Sequence, residues 1–219
     1  MRVKVGDPSI SWHGLQADTD EKKILVVEGG SERIAGITTE EIALIEIGGN
    51  AVLRRTQAMR SSEFGNRTTI SVVFQSDFQP LSHHDETDEY RISIRYDGPR
   101  VVGTKSKAGS DDISIERHIS SAVFDYHSLE LILRLLPLNK AYSVQVPVYH
   151  VVHDREIEVG IQVSGREIIR TGDGIDIDAW VVETNWGYIR QCYWIYLQDK
   201  RLLKQSSNPR EGFEIRYFN

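Results

Sequence analysis

One stretch of this chain, Phe124 to Leu136, has the spacing and composition of a helix. Tyr126, Leu129, Ile132, Leu133 and Leu136 recur at helical intervals, and Leu131 and Leu135 widen the apolar face. Pro137 stops the run, because proline removes a backbone donor and clashes with the preceding turn. Asp125 is suited to be the N-cap. Glu130 and Arg134 make a narrow polar stripe, four residues apart in the favourable order. A helix that is apolar round most of its circumference is buried by something. Almost everything else in the chain reads as strand, so the host is the concave face of a curved sheet.

The strands declare themselves by composition and by alternation. Thr68 to Phe74 is β-branched and aromatic. Tyr90, Ile92, Ile94 and Tyr96 alternate with Arg91, Ser93 and Arg95, which predicts one dry and one wet face. Val144, Val146, Val148 and Val152 recur after the helix; so do Ile157, Val159, Ile161 and Val163, and then Ile175, Ile177, Ala179 and Val181. Gly29-Gly30, Gly48-Gly49 and Asp97-Gly98-Pro99 are turn signals. Gly103 to Asp112 is small and polar and reads as a mobile surface loop. The expectation is a mainly β chain (α+β) of about ten strands with one buried helix: a large curved antiparallel sheet, or half-open β-barrel, wrapped around a central helix, with residues 1–219 as a single β-rich domain and the helix at about 124–136 between two β-meanders. A weak internal echo supports the two meanders. Phe74-Gln75-Ser76-Asp77 resembles Tyr196-Leu197-Gln198-Asp199, and Ile94-Arg95-Tyr96 resembles Ile215-Arg216-Tyr217 at nearly the same separation.

Composition removes several function classes. The 26 basic and 32 acidic residues leave a net charge of −6, without the basic stripe that phosphate backbones require, so no nucleic-acid partner is expected. The single cysteine, Cys192, allows no intrachain disulfide and no thiolate metal cluster. No apolar run approaches the roughly 18 residues of a membrane helix, so no transmembrane segment is expected. The N-terminal residues Met1 to Pro8 contain no apolar core of a secretory signal, which points to the cytoplasm for the chain as it stands.

Catalytic or metal chemistry finds little support in the spacings. His83-His84-Asp85-Glu86, followed by Asp88, would suit a metal, but adjacent strand residues face opposite ways, so His83 and His84 share an ion only in a loop. The run reads as a solvated acidic loop. His150 and His153 fall on opposite faces of a strand, and a zinc site needs three or four converging ligands. Asp173, Asp176 and Asp178 lack the spacing and closing glutamate of an EF-hand loop. The expectation is therefore no metal, no cofactor and no catalytic residues. The aromatics Trp180, Trp186, Tyr188, Tyr193, Trp194 and Tyr196 crowd one stretch and suit either sheet packing or an apolar pocket.

The segment Ala122-Val123-Phe124-Asp125-Tyr126-His127-Ser128-Leu129, followed by Leu133-Arg134-Leu135-Leu136-Pro137-Leu138, resembles the "D-x-x-S-L…LR-x-x-PL" pattern of the bacterial domain-of-unknown-function 3108 family. Val163 to Glu167, Gly174-Ile175-Asp176, Gln191 to Asp199 and Tyr96-Asp97-Gly98 are similar to its other motifs, with a longer spacing between Trp194 and Asp199 than the family pattern has. The resemblance spans roughly Thr68 to Phe218. It implies a layout similar to the half-open β-barrels of lipoprotein-localisation carriers, and an envelope setting reached with a signal peptide. It implies no reaction.

Three functions follow as expectations. The first is a non-enzymatic protein that binds a lipophilic small molecule or lipid in a half-barrel cavity walled by Tyr126, Leu133, Trp180 and Trp194. The alternative is a hydrolase or metal-dependent enzyme using the region of His83, His84 and Asp85, or a protein-interaction domain presenting a sheet edge. The oligomeric state is left open.

Overall fold

A computed structural model describes residues 1–10, 15–107, 109–119, 123–170 and 174–218. Eight strands precede the helix: β1 (Asp18–Glu28), β2 (Ser31–Ile47), β3 (Asn50–Ser61), β4 (Gly65–Phe74), β5 (Pro80–Thr87), β6 (Tyr90–Asp97), β7 (Arg100–Lys107) and β8 (Ile113–His118). A two-residue strand β9 (Phe124–Asp125) leads into a 3-10 turn (Tyr126–Ser128) and the helix α1 (Leu129–Leu135). Six strands follow: β10 (Ser143–His150), β11 (Arg155–Arg170), β12 (Asp176–Trp186), β13 (Ile189–Tyr196), β14 (Leu202–Arg210) and β15 (Phe213–Phe218).

All the strands join one sheet in the order β8-β7-β6-β5-β4-β3-β2-β1-β15-β14-β13-β12-β11-β10-β9. Neighbours are antiparallel except β9, which lies parallel to β10. Short turns make this possible. Gly29-Gly30 and Gly48-Gly49 both have φ between 58° and 81°, the two-residue hairpin geometry that matches strand twist. The sheet does not close by hydrogen bonds between β8 and β9. Instead Ile92, Ile94, Val101 and Ile115 pack with Tyr149 and Val151 across the gap, and Arg117 pairs with Asp154 at 2.5 Å.

Among the described residues fifteen strands stand where about ten were expected. Residues 31–41 form the first half of β2, although their apolar residues do not alternate cleanly, because a bulge opposite Ile24 and Leu25 shifts the register. The run His83–His84 lies inside β5 and is not a loop. Of the expected loop, residues 103–107 belong to β7, Gly109 to Asp112 do form the connection to β8, and Ala108 lies outside the described residues. Gly103 is a glycine for a pairing reason: a Cβ there would meet the Ser93 carbonyl oxygen at 2.0 Å.

The internal echo is structural. In the turn after β4, Phe78 N–H donates to the Phe74 carbonyl and Phe74 N–H to that of Gln79. In the turn after β13, Lys200 and Tyr196 make the same two bonds, to Tyr196 and Arg201. Asp77 and Asp199 each accept the amide two residues on, and Phe78 and Lys200 both have left-handed φ, 61° and 63°. The offset is constant: 196 − 74 and 200 − 78 are both 122. Bulges at Val72/Val73 and Trp194/Ile195 obey it too. Two six-stranded meanders, β1–β6 and β10–β15, thus meet where β1 pairs with β15.

The helix is shorter than its apolar run. Phe124 and Asp125 pair with Val148 and Tyr149 as strand, and the Asp125 carboxylate then accepts the His127 amide at 2.8 Å, capping the 3-10 turn. Leu136 is extended, with ψ of 149°, as a residue before proline prefers. Leu131, Ile132, Leu133 and Leu136 are at most 1% exposed. They pack with Leu53, Val73, Val144, Val146, Val148, Ile161, Val182 and Ile195 on the concave face. Glu130 and Arg134 both turn to the sheet, where each finds a partner described below.

Candidate functional site

The concave face is divided. Its β10–β13 half is mostly apolar, with Thr184 and His150 as buried polar exceptions, and the helix packs on it. Its β1–β6 half carries polar residues at inward positions, among them Lys22, Thr38, Arg55, Thr69, Ser71, His83 and Asp85, all buried. Between this polar half and the start of the helix lies a cavity of about 300 Å3. Met59, Tyr126, Leu129, Tyr193, Ile215 and Tyr217 give it apolar surface; Gln57, Arg67, Thr69, His127, Gln191 and Gln205 give it polar surface. Phe64, 37% exposed in the turn between β3 and β4, stands at its rim.

Arg55 ties the helix to the cavity wall. Its Nε donates to Glu40, its Nη1 to the His127 carbonyl and its Nη2 to Glu130, each at 2.6 Å. Arg134 donates to the Lys200 carbonyl at 2.8 Å and lies 3.8 Å from Glu40. Burial raises the carboxyl pKa of both acids, but Arg55, helped by Lys22 and Arg134, outweighs it at Glu40, which falls below 4.5. Burial and the nearby Glu40 charge keep Glu130 above 4.5. One guanidinium shared by two acids cannot satisfy both equally.

A second polar cluster lies beside the 3-10 turn. Arg67 grips Asp85 with two hydrogen bonds of 2.8 and 2.7 Å, and its Nη2 lies 3.2 Å from His127 Nε2. Tyr90 also donates to Asp85. Asp125 accepts from Ser71 and Tyr96 and stands 3.1 Å from His83 Nδ1. Burial alone would raise the Asp125 pKa; the His83 imidazole, the Tyr96 hydroxyl and the His127 amide hold it below 3.8. His127 sits inside the fold, partly open to the cavity, and burial with the neighbouring His83 and Arg67 keeps its pKa well below 6.5. The rings of His83 and His127 are 4.7 Å apart. Tyr126 stacks on His150 at 4.3 Å, and His150 contacts the His153 ring at 4.4 Å. Burial and His153 push His150 down to about 4.

The residues singled out from sequence are scattered by the fold. Tyr126 lines the cavity. Leu133 is fully buried in the main core, and Trp180 belongs to the same inward-facing cluster. Trp194 points the other way: with Ala179 and Val181 it forms a cluster on the convex face, donates to Glu167 at 2.7 Å, and has the Lys204 ammonium 4.1 Å above its ring. Its neighbours Tyr193 and Ile195 take the inward positions. His83 and His84 take opposite faces, His83 inward and His84 against Ser93 and Glu86. Asp176 and Asp178 are exposed and pair with Arg170 and Arg166; Asp173 lies outside the described residues.

Arg55, Arg67 and Glu40 have no motif to mark them, and Asp125 was marked only as a helix cap and not for its contacts with His83, Ser71 and Tyr96. A signal existed in the parity of β3, where Leu53, Arg55, Gln57 and Met59 share the face that buries Leu53. Charge at an inward strand position is costly unless paired, and that is a reason to look for a partner.

A half-closed antiparallel barrel with an inserted helix and a cleft beside it is a β-barrel-like fold. The chain belongs to the family described as protein of unknown function DUF3108, whose pattern matches residues 33–203. A crystal structure of a beta-barrel-like protein of domain of unknown function DUF1849 from Brucella abortus is similar in fold, with a TM-score of 0.57 at 13% identity, covering 95% of this chain and 96% of that one. No curated protein matches the sequence. Among the described residues no helix is long and apolar enough to cross a membrane.

Proposed function

We propose that this protein is a non-enzymatic binding protein that takes one lipophilic molecule bearing a polar group into the cavity beside the helix. The observation that carries the reading is the cavity itself. A solvent-open cleft of about 300 Å3 beside the largely buried helix is at the lower end of ligand-binding pockets. Its lining fits such a molecule. Met59, Ile215 and Tyr217 would take the apolar part, while Arg67, Gln191 and Gln205 would meet a polar group.

The test is titration with an environment-sensitive lipophilic dye, followed by displacement with single-chain amphiphiles. Saturable binding to the folded protein is expected, with loss of binding in Gln205→Trp, which would fill the cavity from β14. Trp194→Ala, on the convex face, serves as the control and leaves binding unchanged. Binding that appears only on partial unfolding, or that survives Gln205→Trp, would overturn the proposal.

A further inference from the structure

We infer that His83, Asp85 and His127 form a binding site for one divalent first-row transition-metal ion, beside the cavity that His127 lines. Each of the three can offer a ligand atom within 4.8 Å of the other two. The arrangement arises from two simple placements. His83 and Asp85 stand two residues apart on β5 and so share its inward face. His127 is brought to them by the 3-10 turn, which Asp125 caps.

The state of His83 is the independent observation. Its Nδ1 is held by Asp125 at 3.1 Å and Ser71 at 3.2 Å, yet its Nε2 is buried without a hydrogen-bond partner among the described residues. A buried polar atom left bare is costly, so a partner for it is expected. An imidazole oriented by a carboxylate on one nitrogen and free on the other is the usual arrangement of a metal-ligating histidine. Charge counts in the same direction. Asp85 and Asp125 are buried carboxylates, and Arg67 is the arginine that serves this cluster, so the described residues leave it one positive charge short before any histidine is protonated. Two imidazoles and one carboxylate suit zinc, iron(II), cobalt(II) or manganese, and would leave coordination positions for water. Calcium and magnesium, which take oxygen ligands, do not fit. Arg67 competes for the site, because its Nη2 lies 3.2 Å from His127 Nε2; on metal binding it would give up that contact and keep Asp85.

The inference is independent of the lipophilic ligand, and its test uses neither dye nor amphiphile. Protein freed of metal by chelator is dialysed against Zn2+ and, separately, Co2+, and the bound ion is counted by elemental analysis. One ion per chain is expected, with an intense Co2+ visible spectrum. His83→Gln and His127→Gln should each weaken binding about tenfold or more, whereas His84→Gln and His153→Gln should not. Absence of stoichiometric binding, or equal loss in the two control variants, overturns the assignment. Should a site variant fail to fold by circular dichroism, imidazole 15N NMR of the wild-type protein decides. Zn2+ must shift the ring nitrogens of His83 and His127 and spare those of His84; a shift confined to other histidines overturns it.

Discussion

Replacing Arg55 with methionine tests how the helix is held. The guanidinium is 4% exposed as a residue and makes three charge-assisted contacts, to Glu40, Glu130 and the His127 carbonyl. Methionine preserves much of the volume, so the loss is electrostatic. It leaves Glu40 and Glu130 buried with Arg134 and Lys22 as their remaining cations. Breaking a buried pair by removing one partner costs about 3–5 kcal/mol, which is a large share of a typical total of roughly 5–15 kcal/mol. The penalty arises from stranded carboxylates, so it should shrink when they are neutralised. Arg55→Met/Glu130→Gln should therefore be more stable than Arg55→Met alone, and the deficit of the single variant should narrow as the pH is lowered toward 5. The assay is urea unfolding followed by tryptophan fluorescence at pH 7 and pH 5, with m-values checked for constancy. A loss under about 1 kcal/mol at pH 7, or a double variant no more stable than the single, would refute the view that Arg55 is the buried clamp.

Leu133→Ala should cost about 2–5 kcal/mol in the same melts, because the side chain is fully buried at the centre of the core; a value under about 1 kcal/mol would mean the helix is peripheral. Gly103→Ala should destabilise strongly despite its small size, since the added Cβ would sit 2.0 Å from the Ser93 carbonyl oxygen; a neutral thermal shift would contradict the observed pairing of β6 with β7. Tyr142→Phe should be neutral or stabilising, because the hydroxyl is buried without a hydrogen-bond partner among the described residues. Burial also pushes that phenol up to about 12. An acid whose pKa is raised by folding contributes full stability below its unfolded value, near 10, and loses it as the pH rises toward 12. The alkaline decline between those values should be shallower in Tyr142→Phe, and identical pH profiles would count against the assignment.

Sheet and helix were legible in the sequence for a physical reason. Alternation in Tyr90–Tyr96 and in Ile157–Val163 reports a sheet with distinct faces, and an apolar helical run ended by Pro137 reports a helix with something around it. The turn echo 122 residues apart was legible because Asp77 and Asp199 do the same local work in both copies. Less could be read of the helix start, where pairing of Phe124 and Asp125 with β10 overrode helix propensity. The polar interior was not legible. The contact of Arg55 with Glu130 spans 75 residues, and that of Arg67 with His127 spans 60. Such pairs are set by sheet order, which local spacing does not encode. His83 shows this most plainly. Read along the chain its neighbour is His84, which the strand turns away, while its neighbours in space are Asp85, Asp125 and His127.

The measurement that tests the central claim most directly is native mass spectrometry of the protein purified from its own host, beside the Gln205→Trp variant prepared in the same way. The cavity account predicts one organic adduct of an amphiphile's mass per chain in the wild-type protein, distinguishable by mass from a metal ion, and its absence from the variant. A bare chain in both preparations, together with no saturable uptake of added amphiphile, would contradict it.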